Sequence, residues 1–291
     1  MKLLTFRRDG ATHVGVLRLD AEDEVVEVSG ATTMLDLVDA GQDGLAEARG
    51  AAASRGGRSH RLRDVEVLAP LPAPRGNVIA MGRNYKAHAE ESARAAGKAV
   101  DPPTVFTKAI TTIAGPYDDV VIDGAVSVQV DWEVELGVVI GRRGRNISRA
   151  DAAGYVFGYV ALNDVSARDI QFGWGGQYFK GKSLDGYCPT GPWIVTADEI
   201  TDPQSLRLLL RVNGAVKQDS NTSDMVYPVD AVIEWVSKGM TILPGSLIAT
   251  GTPDGVGFAR TPPEFLQAGD VMETEVEGIG TLRNRIVAAV P

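Results

Sequence analysis

Apolar and polar positions alternate with period two along most of this chain, which is the signature of β-strands half-buried in a sheet. Leu3–Arg7 and His13–Leu19 are predicted to form a hairpin around Asp9-Gly10, with Val25–Val28 as a third strand. Further strands are predicted at Val65–Leu68, Asn77–Met81, Val105–Lys108, Val120–Ile122, Leu206–Val212, Leu247–Thr250, Val271–Val276 and Gly280–Ile286. Asn213-Gly214 carries the signal of a type I′ hairpin turn. Tyr155–Leu162 is apolar throughout, as suits a strand buried on both faces. Helical spacing is confined to Thr33–Ala40, Tyr85–Ala96 and Val229–Lys238, with shorter turns at 150–154 and 166–171. Asn84 is the expected N-cap of the second helix and Gly97 its C-cap. In the third, Ile233, Val236 and Trp235 are the expected core contacts. Gly41 to Arg61 is small and polar and reads as helix fragments joined by flexible turns. Pro70-Leu71-Pro72-Ala73-Pro74 is an extended linker. The chain therefore divides into a small accessory unit, residues 1–70, and a larger domain, residues 75–291, of mixed α+β and mostly β character.

The stretch Asp131–Ile140 alternates too, and its polar face carries chemistry. Trp132, Val134, Leu136 and Val138 fall on one side, Glu133 and Glu135 on the other. Adjacent carboxylates repel unless something neutralises them. An isolated Glu-x-Glu is more often a hydrated surface face. Asp164 follows the buried strand, where a charge without a partner is costly. Three such carboxylates would make an oxygen-rich site of the kind that suits Mg²⁺, Mn²⁺ or Ca²⁺ rather than Zn²⁺ and leaves coordination positions open. Taken alone, Asp164 serves equally well as a helix cap.

The formal net charge of −9 argues against nucleic acid or an anionic membrane as partner. No apolar run approaches the roughly 20 residues of a membrane span. A single cysteine, Cys188, excludes an internal disulfide and suggests a reducing, cytoplasmic setting. The basic run Arg142–Arg149 reads as solvated surface, and Gly173–Gly176 lacks the context of a phosphate loop.

Five motifs occur in order: Gly82-Arg83-Asn84-Tyr85-x-x-His88, Glu133-Val134-Glu135-Leu136, Asn163-Asp164-Val165-Ser166-Ala167-Arg168-Asp169-x-Gln171, Gly181-Lys182-Ser183-Leu184-Asp185 and Thr250-Gly251-Thr252-Pro253. From about residue 75 onward the chain resembles the fumarylacetoacetate hydrolase family. The resemblance implies a β-roll around a central site, a homodimer, and Mg²⁺ or Mn²⁺ held by Glu133, Glu135 and Asp164. It implies that Lys182, with His88 and Glu91 on a lid helix, is catalytic. Arg83, Tyr85, Arg168, Gln171 and Thr250 would contact a 2-oxo acid substrate. The leading expectation is a hydrolase that breaks a carbon–carbon bond in an acylpyruvate-like or diketo sugar acid through a stabilised enolate. Decarboxylation of oxaloacetate, isomerisation of a hydroxymuconate-type acid, hydration of a 2-oxo-alkenoate and a non-catalytic metal-binding protein are the alternatives. The lid helix has little apolar stripe, so without substrate residues 85–100 are expected to stand open, with His88 far from the carboxylates.

Overall fold

The computed structural model describes residues 1–97 and 104–290. Two large sheets and two short two-stranded ones are present among the described residues. The larger runs in the order Ser59–Arg61, Ala21–Glu27, Ala11–Arg18, Lys2–Arg8, Cys188–Thr196, Val156–Asn163, Val134–Ile140, Leu247–Ala249, Val78–Gly82, Thr104–Lys108. The smaller runs Ala215–Asn221, Arg207–Val212, Val271–Val276, Gly280–Ala288, Val120–Ile122. Neighbours are antiparallel except where Leu247–Ala249 meets Val78–Gly82 and where Gly280–Ala288 meets Val120–Ile122. The strand-rich, mixed α+β character expected from the alternation is observed. No helix among the described residues is long and apolar enough to cross a membrane.

The Val134–Ile140 strand lies at the centre of this arrangement and is buried along its whole length. Its Trp132, Val134, Leu136 and Val138 face belongs to the cluster that also holds Leu208, Leu210, Met272 and Leu282 of the smaller sheet. Val139, on the other face, joins a second cluster with Val78, Ala80, Phe106, Val160 and Leu162. Glu133 and Glu135 share that second face, so period-two alternation places two carboxylates at one end of an otherwise apolar row.

Both predicted tight turns occur. Asp9-Gly10 and Asn213-Gly214 have φ of 49° and 78°, and 52° and 78°, the left-handed pairs that match the twist of a hairpin. Thr33 caps the Met34–Asp39 helix in a reciprocal capping box with Asp36.

Four expectations are corrected. The first 70 residues are not a separate body: Leu3 pairs with Ile194, and Leu3, Val14, Val16 and Val26 sit in the same cluster as Val139 and Val160. Gly41–Ala53 is one continuous helix, because Leu45, Ala48 and Ala52 form a buried stripe along it. Trp235 is 60% exposed while Ile233 and Val236 are buried. Asn84 does not cap the Lys86–Ala96 helix, whose N-cap is Tyr85. The Asn84 amide instead donates to the carbonyls of Tyr227 (2.9 Å) and Thr250 (2.8 Å) and accepts from the Tyr227 N–H, joining three segments.

Candidate active site

Glu133, Glu135 and Asp164 converge. Each offers an oxygen lying within 4.8 Å of the others, and all three are buried. Asp164 follows directly after the Val156–Asn163 strand, and its backbone N–H donates to the Glu133 carbonyl at 2.9 Å, so adjacent strand ends bring the carboxylates together.

Cations surround them. Lys182 Nζ donates to Glu133 Oε2 and Asp164 Oδ2, both at 2.8 Å. Arg168 donates through Nη2 to Glu133 Oε1 (2.6 Å), through Nε to Asp131 Oδ1 (2.7 Å) and through Nη1 to Gln171 Oε1 (2.9 Å). Lys108 Nζ donates to Asp164 Oδ1 at 2.6 Å and to the carbonyls of Lys182 and Val165. Lys108 is fully buried.

Four buried carboxylates, Asp131, Glu133, Glu135 and Asp164, thus share three buried cations, Lys108, Arg168 and Lys182. Burial, the largest influence on Glu133, raises its pKa, but Lys182, Arg168 and His88 overcome it and hold the group at about 2. Glu135 goes the other way. Burial first, then the charges of Asp164 and Glu133, push it well above the usual carboxylate range. Its Oε2 accepts the Gly251 N–H at 2.7 Å, whereas Oε1 is buried without a hydrogen-bond partner among the described residues. An orphaned buried oxygen beside two further carboxylates, with negative charge in excess, fits a divalent cation. Gly251 makes the approach possible. It has φ of 98°, and a Cβ there would lie 2.8 Å from Asn84 Cβ.

A cavity of about 540 Å³ opens beside this cluster, lined by residues that include Arg83, His88, Glu133, Arg168, Gln171 and Lys182. His88 Nδ1 meets Glu91 Oε1 at 3.0 Å, which leaves Nε2 as the ring atom free of that contact. Glu91 also accepts the Gly255 N–H, at 3.0 and 3.1 Å to its two oxygens. The expectation of an open lid is corrected here. His88 is buried and lines the cavity, because one carboxylate ties the helix to a segment 164 residues away. The part of that expectation covering residues 98–100 lies outside the described residues.

Two residues expected to touch substrate lie behind the wall. Tyr85 is buried in the core and its hydroxyl has no hydrogen-bond partner among the described residues. Thr250 Oγ1 donates to the Leu136 carbonyl at 2.8 Å, and it is Thr252 that lines the cavity. Sequence reasoning missed Lys108 and Asp131. Asp131 was within reach, since period two puts it on the face of Glu133 and Glu135. Its carboxyl, raised to about 6 chiefly by burial, anchors Arg168 and accepts the Phe258 N–H. Lys108 shares a strand face with buried Phe106, two residues before it, a weak signal by itself.

Residues 77–287 match the family model described as fumarylacetoacetate (FAA) hydrolase C-terminal. The chain is 41% identical over 274 residues to oxaloacetate tautomerase FAHD2A, mitochondrial, of Bos taurus, covering 94% of this chain and 84% of that one. It is 45% identical over 227 residues to oxaloacetate tautomerase YisK of Bacillus subtilis, covering 78% and 75%. Its structure is similar to that of 5-carboxymethyl-2-hydroxymuconate delta-isomerase from Mycobacterium smegmatis, with a TM-score of 0.78, 35% identity, and 99% and 100% of the two chains covered.

Proposed function

The chain belongs to the fumarylacetoacetate hydrolase family of enzymes, and from that premise we propose that it interconverts the enol and keto forms of oxaloacetate or a close 2-oxo acid relative. The observation that carries this reading is one cavity lined by Glu133 of the three-carboxylate group, by Lys182 and by His88, whose ring is held from behind by Glu91. Two curated relatives bear the name oxaloacetate tautomerase, and a similar structure bears the name of an isomerase. Carbon–carbon hydrolysis, the leading expectation from sequence, therefore gives way to proton transfer within one substrate.

Glu133, Glu135 and Asp164 are the residues that would hold Mg²⁺ or Mn²⁺. The cation would supply Lewis-acid stabilisation of the negative charge that develops on the 2-oxo oxygen. The protein's own groups do the rest. Lys182 Nζ brings a positive charge to the same edge of the cavity, where that charge develops. His88 Nε2 takes or delivers the proton at C3, with Glu91 fixing the ring through Nδ1. The docked helix carries His88 into the wall of the cavity, so the base is in place without a further movement.

The test uses enol-oxaloacetate and the Mg²⁺-loaded protein. Accelerated loss of enol absorbance without release of CO₂ is the expected result. A decay no faster than in buffer would sink the proposal. Rapid CO₂ release would move the reading to decarboxylation, and pyruvate release from acetylpyruvate would restore hydrolysis.

A further inference from the structure

Beside the charged cluster, where the Phe258 ring lies 4.5 Å from the Arg168 guanidinium and the Phe106 ring 5.2 Å from Lys182 Nζ, part of the cavity wall is hydrocarbon. Met81, Ala89, Ala93, Phe106, Phe172 and Phe258 all line it. Ring contacts hold the aromatic part in place: Phe106 meets Tyr178 edge-on at 5.6 Å between centroids, and Phe172 meets Phe258 at 5.3 Å. A volume of about 540 Å³ lies within the range of roughly 300–1,000 Å³ found for pockets that take drug-sized ligands. A short diacid leaves much of such a space unfilled.

The described cations lining the cavity are engaged with protein groups. Arg168 is held by Asp131, Glu133 and Gln171, and Lys182 by Glu133 and Asp164. Arg83 donates to the Tyr178 hydroxyl and to Thr104 Oγ1. The side chains of Met81, Ala89, Ala93, Phe106, Phe172 and Phe258 offer a substrate apolar contact and no hydrogen bond. An aryl or branched alkyl group meets the same wall with favourable burial on both sides.

We propose that this site also takes 2-oxo acids bearing an aryl or bulky alkyl group at C3, and converts their enols to the keto form. The inference rests on the proton-transfer reading above and extends it to a second substrate class. The reaction balances internally. The enol O–H bond breaks, a C3–H bond forms from the C2=C3 electron pair, and C2–O becomes a carbonyl. No co-reactant enters.

The probes are enol-phenylpyruvate and enol-oxaloacetate, each followed by loss of enol absorbance with the Mg²⁺-loaded protein. N-phenyloxamate and oxamate serve as unreactive ligands for calorimetry. Phenylpyruvate is expected to be turned over, and the phenyl group to tighten oxamate binding at least about tenfold. Ala93→Leu, which narrows the apolar end, is expected to weaken N-phenyloxamate more than oxamate. Decay of enol-phenylpyruvate at the buffer rate overturns the inference, and so does an equal affinity for the two oxamates. An inert oxaloacetate beside an active phenylpyruvate would overturn the oxaloacetate reading alone.

Discussion

Lys108 is a charge with no exposed surface, and all of its donors are spent on Asp164 and two carbonyls. Removing one partner of a buried ion pair strands the other, which typically costs about 3–5 kcal/mol. Lys108→Met is therefore expected to lower the urea midpoint by that equivalent, and to weaken Mg²⁺ binding measured by calorimetry because Asp164 loses its anchor. Glu135 presents the opposite case. Burial and two like-charged neighbours raise its folded-state pKa, so the stability linked to its proton is complete below the ordinary carboxylate range and is lost as pH rises through the raised value. Glu135→Gln keeps the site neutral at that position. In EDTA at pH 8 the variant is expected to melt at or above the wild-type temperature. Added Mg²⁺ should no longer stabilise it, whereas a bound cation at a hundredfold excess over Kd contributes about 2.7 kcal/mol. Melting curves with and without Mg²⁺ decide this. At this scale alternation placed Glu133 and Glu135 on one strand face, and only the order of motifs turned that face from hydrated surface into a site. Lys182 and His88 were legible only through their motifs. Lys108 was not legible, since a lysine ending a strand is ordinarily solvated and its acceptors lie 56, 57 and 74 residues further along.

The Lys86–Ala96 helix has few apolar anchors of its own, yet it is docked. The Glu91 carboxylate holds it, and Gly255 presents its N–H at φ of 97°, where a Cβ would lie 2.2 Å from the Lys217 carbonyl. Glu91→Ala is expected to speed amide exchange across residues 86–97, read by mass spectrometry, and to lower kcat through loss of the His88 orientation. His88→Ala should lower kcat by about 10²–10⁴, the usual worth of a general acid–base. Unchanged exchange in the Glu91 variant would show that something else docks the helix. Elements with a local code were readable, as the Asp9-Gly10 and Asn213-Gly214 hairpins and the Thr33 capping box show. The Gly41–Ala53 helix was not, because Gly41, Gly44 and Gly50 lower its helix propensity and its buried stripe is settled by the sheet beneath. The closed lid was equally hidden, since its tether is a contact between distant parts of the chain.

The whole molecule has one seam that the sequence concealed. Pro70–Pro74 has the composition of a linker between domains, yet the strand before it and the strands far after it share one sheet. Residues 71–291 expressed alone would lose Leu3, Val14, Val16, Val26, Met34 and Leu37 from a shared core. At about 1.5–3 kcal/mol for each large buried side chain, that loss is comparable to or greater than the roughly 5–15 kcal/mol of net stability of a whole domain. The truncated chain is expected to lack a cooperative thermal transition by circular dichroism, and a sharp one would restore the two-body description. The fold class was legible because alternation is local. The seam was not, because Met1 and its partner Thr196 stand 195 residues apart. That separation sets a schedule for synthesis. On a ribosome adding about 5–20 residues per second, the neighbour of the first strand is made roughly 10–40 s after it, while a hairpin closes in about 1–10 μs. Glu66–Val67 pairs with Phe6 and Arg7 early, but the Lys2–Leu3 end of the same strand edge waits unpaired until Ile194 and Val195 are made. Chains arrested before Cys188 should be captured by a holdase chaperone and cut readily by protease, and chains released at full length should resist both.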